Sequence, residues 1–240
     1  MYEPNLGQTD AAVSFLSRGE DNVLFLTSTG ADLLLFAARK ETPKKKKAAS
    51  AIELAPSGPV PSAALRLEFV GAAPVSIEGA GPLPARSYYL TAEGPANTGV
   101  PSFSSVVYED ALPGIDVVFP GSGGREIRYD FNVAPGADPL SIRIRFHGAE
   151  RIRLEPSGDL RIETAAGLVI QRAPLAYQET GGSRVEVEAR YVLSQAGDEV
   201  RFELGAYDME RPLVIDPSIR TLGSSGAARA IAVDDAGNSY

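Results

Sequence analysis

The amino-acid sequence predicts an all-β protein in which an antiparallel meander of short strands forms a large two-layer β-sandwich. Three observations predict this fold class. Apolar and polar residues alternate over most of the second half of the chain, as they do in strands with one buried face. Clusters of Gly, Pro, Asp and Ser separate the alternating stretches. No stretch has amphipathic helical periodicity over more than about two turns.

The strands of the second half are predicted from their alternating apolar positions. These positions are Ile127, Tyr129, Phe131 and Val133; Ile142, Ile144 and Phe146; Ile152 and Leu154; Leu160 and Ile162; Val185, Val187, Ala189, Tyr191 and Leu193; and Val200, Phe202 and Leu204. Turn sequences lie between them, at residues 135–139, 156–159, 181–183 and 195–198. Regular turn spacing of this kind is typical of a sandwich built from hairpins.

The first half is β-rich but less regular. Strands are predicted at residues 12–16, 23–27, 32–36, 65–70, 86–91, 104–108 and 115–119. Residues 41–64 are instead of low complexity, with four lysines at residues 44–47 and repeated Pro, Ala and Ser. This composition predicts a mobile surface loop, and the alternative is a basic docking patch or a targeting signal.

Composition limits the classes of function. A chain of 240 residues with 44% hydrophobic content can form one large core, and a net charge of -8 argues against nucleic-acid binding. The absence of cysteine excludes disulfides, thiol chemistry and Cys-based zinc sites. No apolar run approaches the ~18 residues of a membrane span, and we expect no export signal at the N-terminus.

Catalytic patterns are weak in this sequence. His147 is the single histidine, and strand parity places it with Arg143 and Arg145 on a solvent-facing side. No Gly-x-Ser-x-Gly elbow and no phosphate-binding glycine loop occurs. We therefore predict a protein that is not an enzyme, with no catalytic residue, cofactor or metal site.

Charged residues are frequent on the predicted strands. Glu155, Asp159 and Glu163 neighbour arginines, which favours cross-strand ion pairs over a catalytic acid. The alternative is an arginine-rich sheet face that binds an anionic glycan or the acidic surface of a partner. The arginines of that candidate face are Arg143, Arg145, Arg151, Arg153 and Arg161.

Several segments in a fixed order resemble one protein family. They include Pro-Asn-Leu-Gly-Gln at residues 4–8, Leu-Pro-Gly-Ile-Asp at 112–116, Tyr-Asp-Phe-Asn-Val at 129–133 and Pro-Leu-Val-Ile-Asp-Pro at 212–217. Residues 13–15, 65–72, 83–89, 134–139 and 207–208 continue the similarity. The chain thereby resembles the N-terminal domain of unknown function that precedes SBBP repeats in bacterial seven-bladed β-propeller proteins. Residues 222–240 resemble the opening of the first such repeat.

The resemblance implies a domain organisation. Residues 1–217 would form the β-sandwich domain, and residues 218–240 would be a truncated β-propeller blade with no stable fold of its own. Family members usually begin with a secretion signal, so we expect this chain to be a piece of a longer protein. Extracellular or cell-surface localisation is the corresponding expectation.

The resemblance also implies a function, namely a non-catalytic scaffold or interaction domain of a secreted or cell-surface propeller protein. Its partners would be the missing C-terminal propeller and a glycan or protein at the cell surface. The alternatives are a carbohydrate-binding module and an accessory domain of a hydrolase. Clustering of Tyr88, Tyr89, Tyr108 and Tyr177 would favour glycan binding, and two carboxylates or a serine with a base in one cleft would favour the hydrolase.

Overall fold

A computed structural model describes residues 1–19, 22–36, 61–91, 94–121 and 126–221, without the side chains of residues 61, 62, 90, 91 and 94–98. In these ranges the chain forms β-strands, one 3-10 turn at Pro139–Ser141 and no α-helix. No helix in the same ranges is long and apolar enough to cross a membrane. The all-β prediction is therefore confirmed.

The strands follow one another in chain order. They are β1 (Glu3–Pro4), β2 (Val13–Arg18), β3 (Asn22–Thr27), β4 (Gly30–Phe36), β5 (Pro61–Phe69), β6 (Ser76–Thr91), β7 (Gly94–Leu112), β8 (Ile115–Pro120), β9 (Glu126–Arg128), β10 (Asp130–Val133), β11 (Arg143–His147), β12 (Arg151–Leu154), β13 (Leu160–Thr164), β14 (Gly167–Gln171), β15 (Leu175–Thr180), β16 (Ser183–Val187), β17 (Ala189–Leu193), β18 (Glu199–Leu204), β19 (Leu213–Asp216) and β20 (Ser218–Thr221).

The strands predicted in the first half all overlap observed strands, although β6 and β7 are much longer than predicted. Of the predicted loop at residues 41–64, residues 61–64 belong to β5. The remainder of that prediction lies outside the described residues.

Three antiparallel sheets are formed, where the sequence predicted two layers. The eight-stranded sheet has the order β1-β2-β3-β4-β5-β11-β18-β17, the seven-stranded sheet β16-β15-β19-β10-β8-β7-β6, and the five-stranded sheet β12-β13-β14-β20-β9. Long-range pairings also interrupt the predicted meander, because β11 joins β5, β19 separates β15 from β10, and β20 separates β14 from β9. Alternation predicts the face of each residue but carries no information on which strand lies beside it.

Two neighbouring stretches of chain, residues 126–133 and 213–220, pass together from one sheet into another. β9 pairs with β20 in the five-stranded sheet, and β10 pairs with β19 in the seven-stranded sheet. The register is continuous from one pair to the next, and between them the Tyr129 N–H donates to the Pro217 carbonyl at 3.4 Å. The alternating series from Ile127 to Val133, predicted as one strand, is therefore divided between two sheets.

Aromatic side chains connect the eight-stranded and seven-stranded sheets. Phe69 of β5 contacts Tyr108 and Phe131, with ring centroids 6.4 and 5.6 Å apart. Phe131 in turn lies 5.7 Å from Phe202 of β18. One contiguous core includes these rings and continues into the five-stranded sheet through Ile219 and its neighbours.

The alternation correctly places most core residues. Ile144, Phe146, Val187 and Phe202 are buried, and Leu204 packs against the core while partly buried. Leu154 and Val185 lie on the side of the strand that the alternation predicts but are 45% and 53% exposed. Both residues lie on edge strands, β12 and β16, where no further strand covers the side chain.

The C-terminal strand extends the domain beyond its predicted end. β20 begins at Ser218 and pairs with both β14 and β9, with Ile219 buried in the core. The predicted boundary after residue 217 therefore falls inside the five-stranded sheet. The truncated blade was predicted at residues 218–240, and residues 222–240 of it lie outside the described residues.

We expect Phe202→Ala to lower the free energy of unfolding by about 3 to 5 kcal/mol, because it leaves a cavity beside Phe131 and Tyr191. Arg153→Ala, at an exposed position, should change it by about 0.5 kcal/mol or less in either direction. Urea unfolding measures both values. Equal midpoints for the two variants would contradict the assignment of the faces.

A chain ending after Pro217 should melt about 10 °C or more below a chain ending after Thr221. Removing β20 takes Ile219 from the core, at about 2 to 5 kcal/mol, and leaves backbone groups of β14 and β9 unpaired. For a domain of this size each kcal/mol corresponds to about 2 to 4 °C in Tm. Calorimetry of the two chains tests this, and equal melting temperatures would show that β20 is dispensable.

Candidate functional site

Two of the five predicted arginines lie in an ion-pair network on the eight-stranded sheet. Arg145 Nη2 is 3.0 Å from Glu199 Oε2, and its Nη1 is 3.7 Å from Glu68 Oε2. Arg143 Nη1 lies 3.9 Å from Glu199, which Arg201 also contacts at 3.0 Å. Both Arg143 and Arg145 therefore have carboxylate partners within the protein.

His147 lies in the same network. Its side chain is half-exposed, and Nε2 is 2.6 Å from Glu68 Oε2. One strand further, Arg66 Nε is 2.5 Å from Asp32 Oδ1. No group of three or more His, Asp or Glu side chains suited to hold a metal ion occurs in the part of the chain that the structure describes. The contact of His147 with Glu68 is therefore best explained as part of a surface charge lattice.

The remaining three predicted arginines belong to the five-stranded sheet. Arg151 and Arg153 are on β12, and Arg161 is on β13. The single arginine-rich sheet face predicted from the sequence is therefore divided between two sheets. The division arises because the chain leaves the eight-stranded sheet at the turn after His147 and starts β12 in another sheet.

A cross-strand row of side chains crosses the outer face of the five-stranded sheet. Successive partners in the register are Arg153, Arg161, Ile170, Arg220 and Glu126, on β12, β13, β14, β20 and β9 respectively. Neighbouring strands are about 4.7 to 4.9 Å apart, so these side chains are adjacent. We call this set the arginine row. Its alternate neighbours, such as Ile162, Val169 and Ile219, face the core.

Sequence reasoning missed Arg220. The alternation of Ser218–Thr221 was a usable signal, but the boundary predicted after residue 217 assigned this stretch to a propeller blade. Only the pairing of β20 with β14 brings Arg220 beside the arginines of β12 and β13.

The charges of the arginine row are only partly paired, although Glu126 lies opposite Arg220 in the register. Arg161 Nε is 3.3 Å from Glu163 Oε1, on its own strand. Arg153 and Arg220 are exposed, as is Arg151 next to the row, and none of these three forms an ion pair with a described residue. The register also places Arg153 directly opposite Arg161, and like charges in that position are destabilising.

The acidic residues predicted to pair across strands do so only in part. Asp159 Oδ2 is 2.9 Å from Arg172 Nη1 and its Oδ1 accepts from the Ala173 N–H. Glu163 faces Arg151 in the register but pairs with Arg161. Each of these two carboxylates therefore lies beside an arginine side chain.

The four tyrosines considered for glycan binding do not cluster. Tyr108 is buried, and the Tyr89 hydroxyl donates to the buried Glu3. Tyr88 is exposed on β6, whereas Tyr177 lies on β15 under the Arg184 guanidinium, 4.1 Å from its ring centre. β6 and β15 are near opposite ends of the seven-stranded sheet.

A pair of carboxyl groups was not predicted. Asp130 of β10 and Asp216 of β19 follow the Phe131–Ile215 pair in the register and lie side by side. Arg128 Nη2 is 2.5 Å from Asp216 Oδ2 and 3.8 Å from Asp130 Oδ1. Burial, and then repulsion by Asp216, raise the pKa of Asp130 to about 7. The two residues lie in separate segments that carry the family resemblance, but their contact depends on the long-range pairing of β10 with β19.

Charge reversal tests the arginine row directly. Arg153→Glu should raise the free energy of unfolding by about 0.2 to 1 kcal/mol, since it replaces a like-charge pair with Arg161 by an opposite-charge pair. Arg190→Glu is the matched control, because Arg190 already faces Glu203 across β17 and β18 with a 2.5 Å ion pair and should become less stable on reversal. Destabilisation by both changes would contradict the register at β12 and β13.

Comparison with known proteins gives a family but no function. No curated protein and no solved structure matches the chain. The sequence profile of a family described as a domain of unknown function (DUF7948) matches residues 2–218. Because this match covers nearly the whole of the described domain, the chain belongs to the DUF7948 family.

Proposed function

We propose that this domain is a non-catalytic interaction module and that the arginine row is its binding face. The proposal rests on the arginines that form no ion pair within the described part of the chain. Among the described arginines only four form no ion pair with a described residue: Arg86, which donates to the Gly99 carbonyl, and Arg151, Arg153 and Arg220. Three of the four thus lie together on one sheet face, in a protein of net charge -8.

The chemistry of this face fits an acidic protein surface. Guanidinium groups bind carboxylates through paired hydrogen bonds, and arginine is enriched in protein interfaces. Ile170 is partly exposed between the arginines, so an apolar contact accompanies the charges. The five strands contain no aromatic residue on which a sugar ring could stack.

The biological setting follows from the sequence resemblance. The module would belong to a secreted or cell-surface bacterial protein and would act as a scaffold beside a β-propeller built from SBBP repeats. The segment that resembles the start of the first repeat, residues 222–240, follows β20 directly. Arg220 of the arginine row is therefore close in sequence to the point where the propeller would begin. An acidic surface of that propeller would be a suitable partner for the arginines.

Binding to poly-L-glutamate at low salt measures the proposed activity. The Arg153→Ala/Arg220→Ala double variant should bind at least about tenfold more weakly and with a smaller salt dependence, because fewer charge contacts form. The control is Arg184→Ala/Arg190→Ala, which removes the same charge from two exposed, ion-paired arginines on other sheets.

Three outcomes separate the hypotheses. Selective loss in the first double variant supports the proposal. Equal loss in both variants shows that net charge alone governs binding and overturns it. Tighter binding of polygalacturonate than of polyglutamate would instead favour the carbohydrate-binding alternative.

A further inference from the structure

The Asp130 and Asp216 pair lies where two neighbouring strands pass together from one sheet to another. On one side of the pair the register joins Phe131 to Ile215 in the seven-stranded sheet. On the other side it joins Arg128 to Ser218 in the five-stranded sheet. The two carboxyl groups are the first side-chain pair on the seven-stranded side of this crossing.

Backbone hydrogen bonding is weak at the crossing. Pro217 has no N–H to donate, and the Tyr129 N–H reaches the Pro217 carbonyl at 3.4 Å, longer than the usual 2.9 to 3.0 Å. The backbone therefore leaves the crossing less tightly bonded than a regular ladder position.

Charged side chains from several neighbouring strands surround Asp130 and Asp216. β9 supplies Arg128, whose own neighbour is Glu126, and β16 supplies Arg184, which lies over Tyr177 of β15. Glu179 of β15 pairs with Arg184 at 3.7 Å, and Glu186 lies in the same cavity of about 210 Å³ as Asp216. On β8 the residue opposite Asp130 is the uncharged Val118. Arg172 forms an ion pair with Asp159.

Among the described residues, only Arg128 forms ion pairs with the two aspartates, and its closer contact is with Asp216. Asp130 Oδ1 is fully buried and accepts no hydrogen bond. A buried carboxylate oxygen that accepts no hydrogen bond is costly, whereas a protonated carboxyl can donate to the neighbouring Asp216. Burial and the charge of Asp216 both raise the pKa of Asp130, and the more distant Arg128 and Arg184 lower it less.

We propose that Asp130 and Asp216 share one proton and form a pH-sensitive clasp at the crossing between the two sheets. The clasp is closed in acidic solution, where the shared proton joins β10 to β19. It opens as the pH rises through neutrality, where two adjacent carboxylates repel. This inference is independent of the arginine row, although β9 and β20 carry Glu126 and Arg220 of that row away from the same crossing.

The sign of the effect on stability follows from proton linkage. In the unfolded chain an aspartate has a pKa near 3.9, and in the folded protein the pKa of Asp130 is about 7. Between these values the folded state binds more protons than the unfolded state. The contribution of the clasp is therefore complete below about pH 4 and is lost as the pH rises to about 7.

Urea unfolding at pH 5, 6, 7 and 8 tests the clasp through Asp130→Asn. The asparagine amide can donate to Asp216 at every pH, so the decline in stability of the wild type between pH 5 and 8 should be smaller in this variant, which should exceed the wild type in stability at pH 8. Glu210→Gln removes one exposed carboxylate that contacts no charged side chain among the described residues, and it should retain the wild-type pH profile. An Asp130→Asn profile parallel to that of the wild type would overturn the proposal.

A second measurement on the unmodified protein does not depend on the folding of a variant. In a carbon-detected NMR titration, one carboxyl group of the pair should titrate near neutral pH while exposed carboxyl groups titrate near pH 4. Amide exchange at Ile215 and Ile219, corrected for the intrinsic rate, should become faster from pH 6 to pH 8. Titration of both carboxyl groups near pH 4 would exclude a shared proton.

Discussion

The shared strand ribbon, residues 126–133 paired with 213–220, is the constraint on which the rest of the structure depends. One end of it lies in the five-stranded sheet and the other in the seven-stranded sheet. Tyr129 marks the crossing, and its fully buried ring lies 6.0 Å from Phe69 of the eight-stranded sheet and 5.9 Å from Phe119. Its hydroxyl donates to Gln171 of β14. All three sheets therefore meet around one residue, and none of them can shift without disturbing this contact.

The same arrangement gives the sheets different electrostatic surfaces. On the eight-stranded sheet, Arg143 also faces an arginine, Arg201, but Glu199 contacts both of them, so a carboxylate bridges the like charges. On the five-stranded sheet, Arg153 faces Arg161, and Ile170 separates that pair from Arg220. A lattice of opposite charges contributes to the fold at little cost, whereas adjacent like charges reduce stability. Placement of like charges on an exposed sheet face is what a binding surface for an acidic partner requires.

The acid pair and the arginine row are two consequences of the same ribbon. β10 and β19 bring the carboxyl groups together, and β9 and β20 extend the row on the other side of the crossing. Arg128 connects the two features, since it belongs to β9 and contacts Asp216. A change in the protonation of Asp130 and Asp216 therefore occurs next to β9 and β20, the strands that carry Glu126 and Arg220.

Local pattern alone determined the strand content, the positions of most strands and the inward orientation of residues such as Ile144 and Phe202. Period-two alternation is a local property, and a buried strand needs no knowledge of its partner to show it. Only the tertiary structure decided the number of sheets, the separation of Arg145 from Arg151, the inclusion of Arg220 and the contact of Asp130 with Asp216. Backbone hydrogen bonds are the same for every sequence, so the choice of strand partner depends on the packing of the whole core around Tyr129, to which distant segments contribute together.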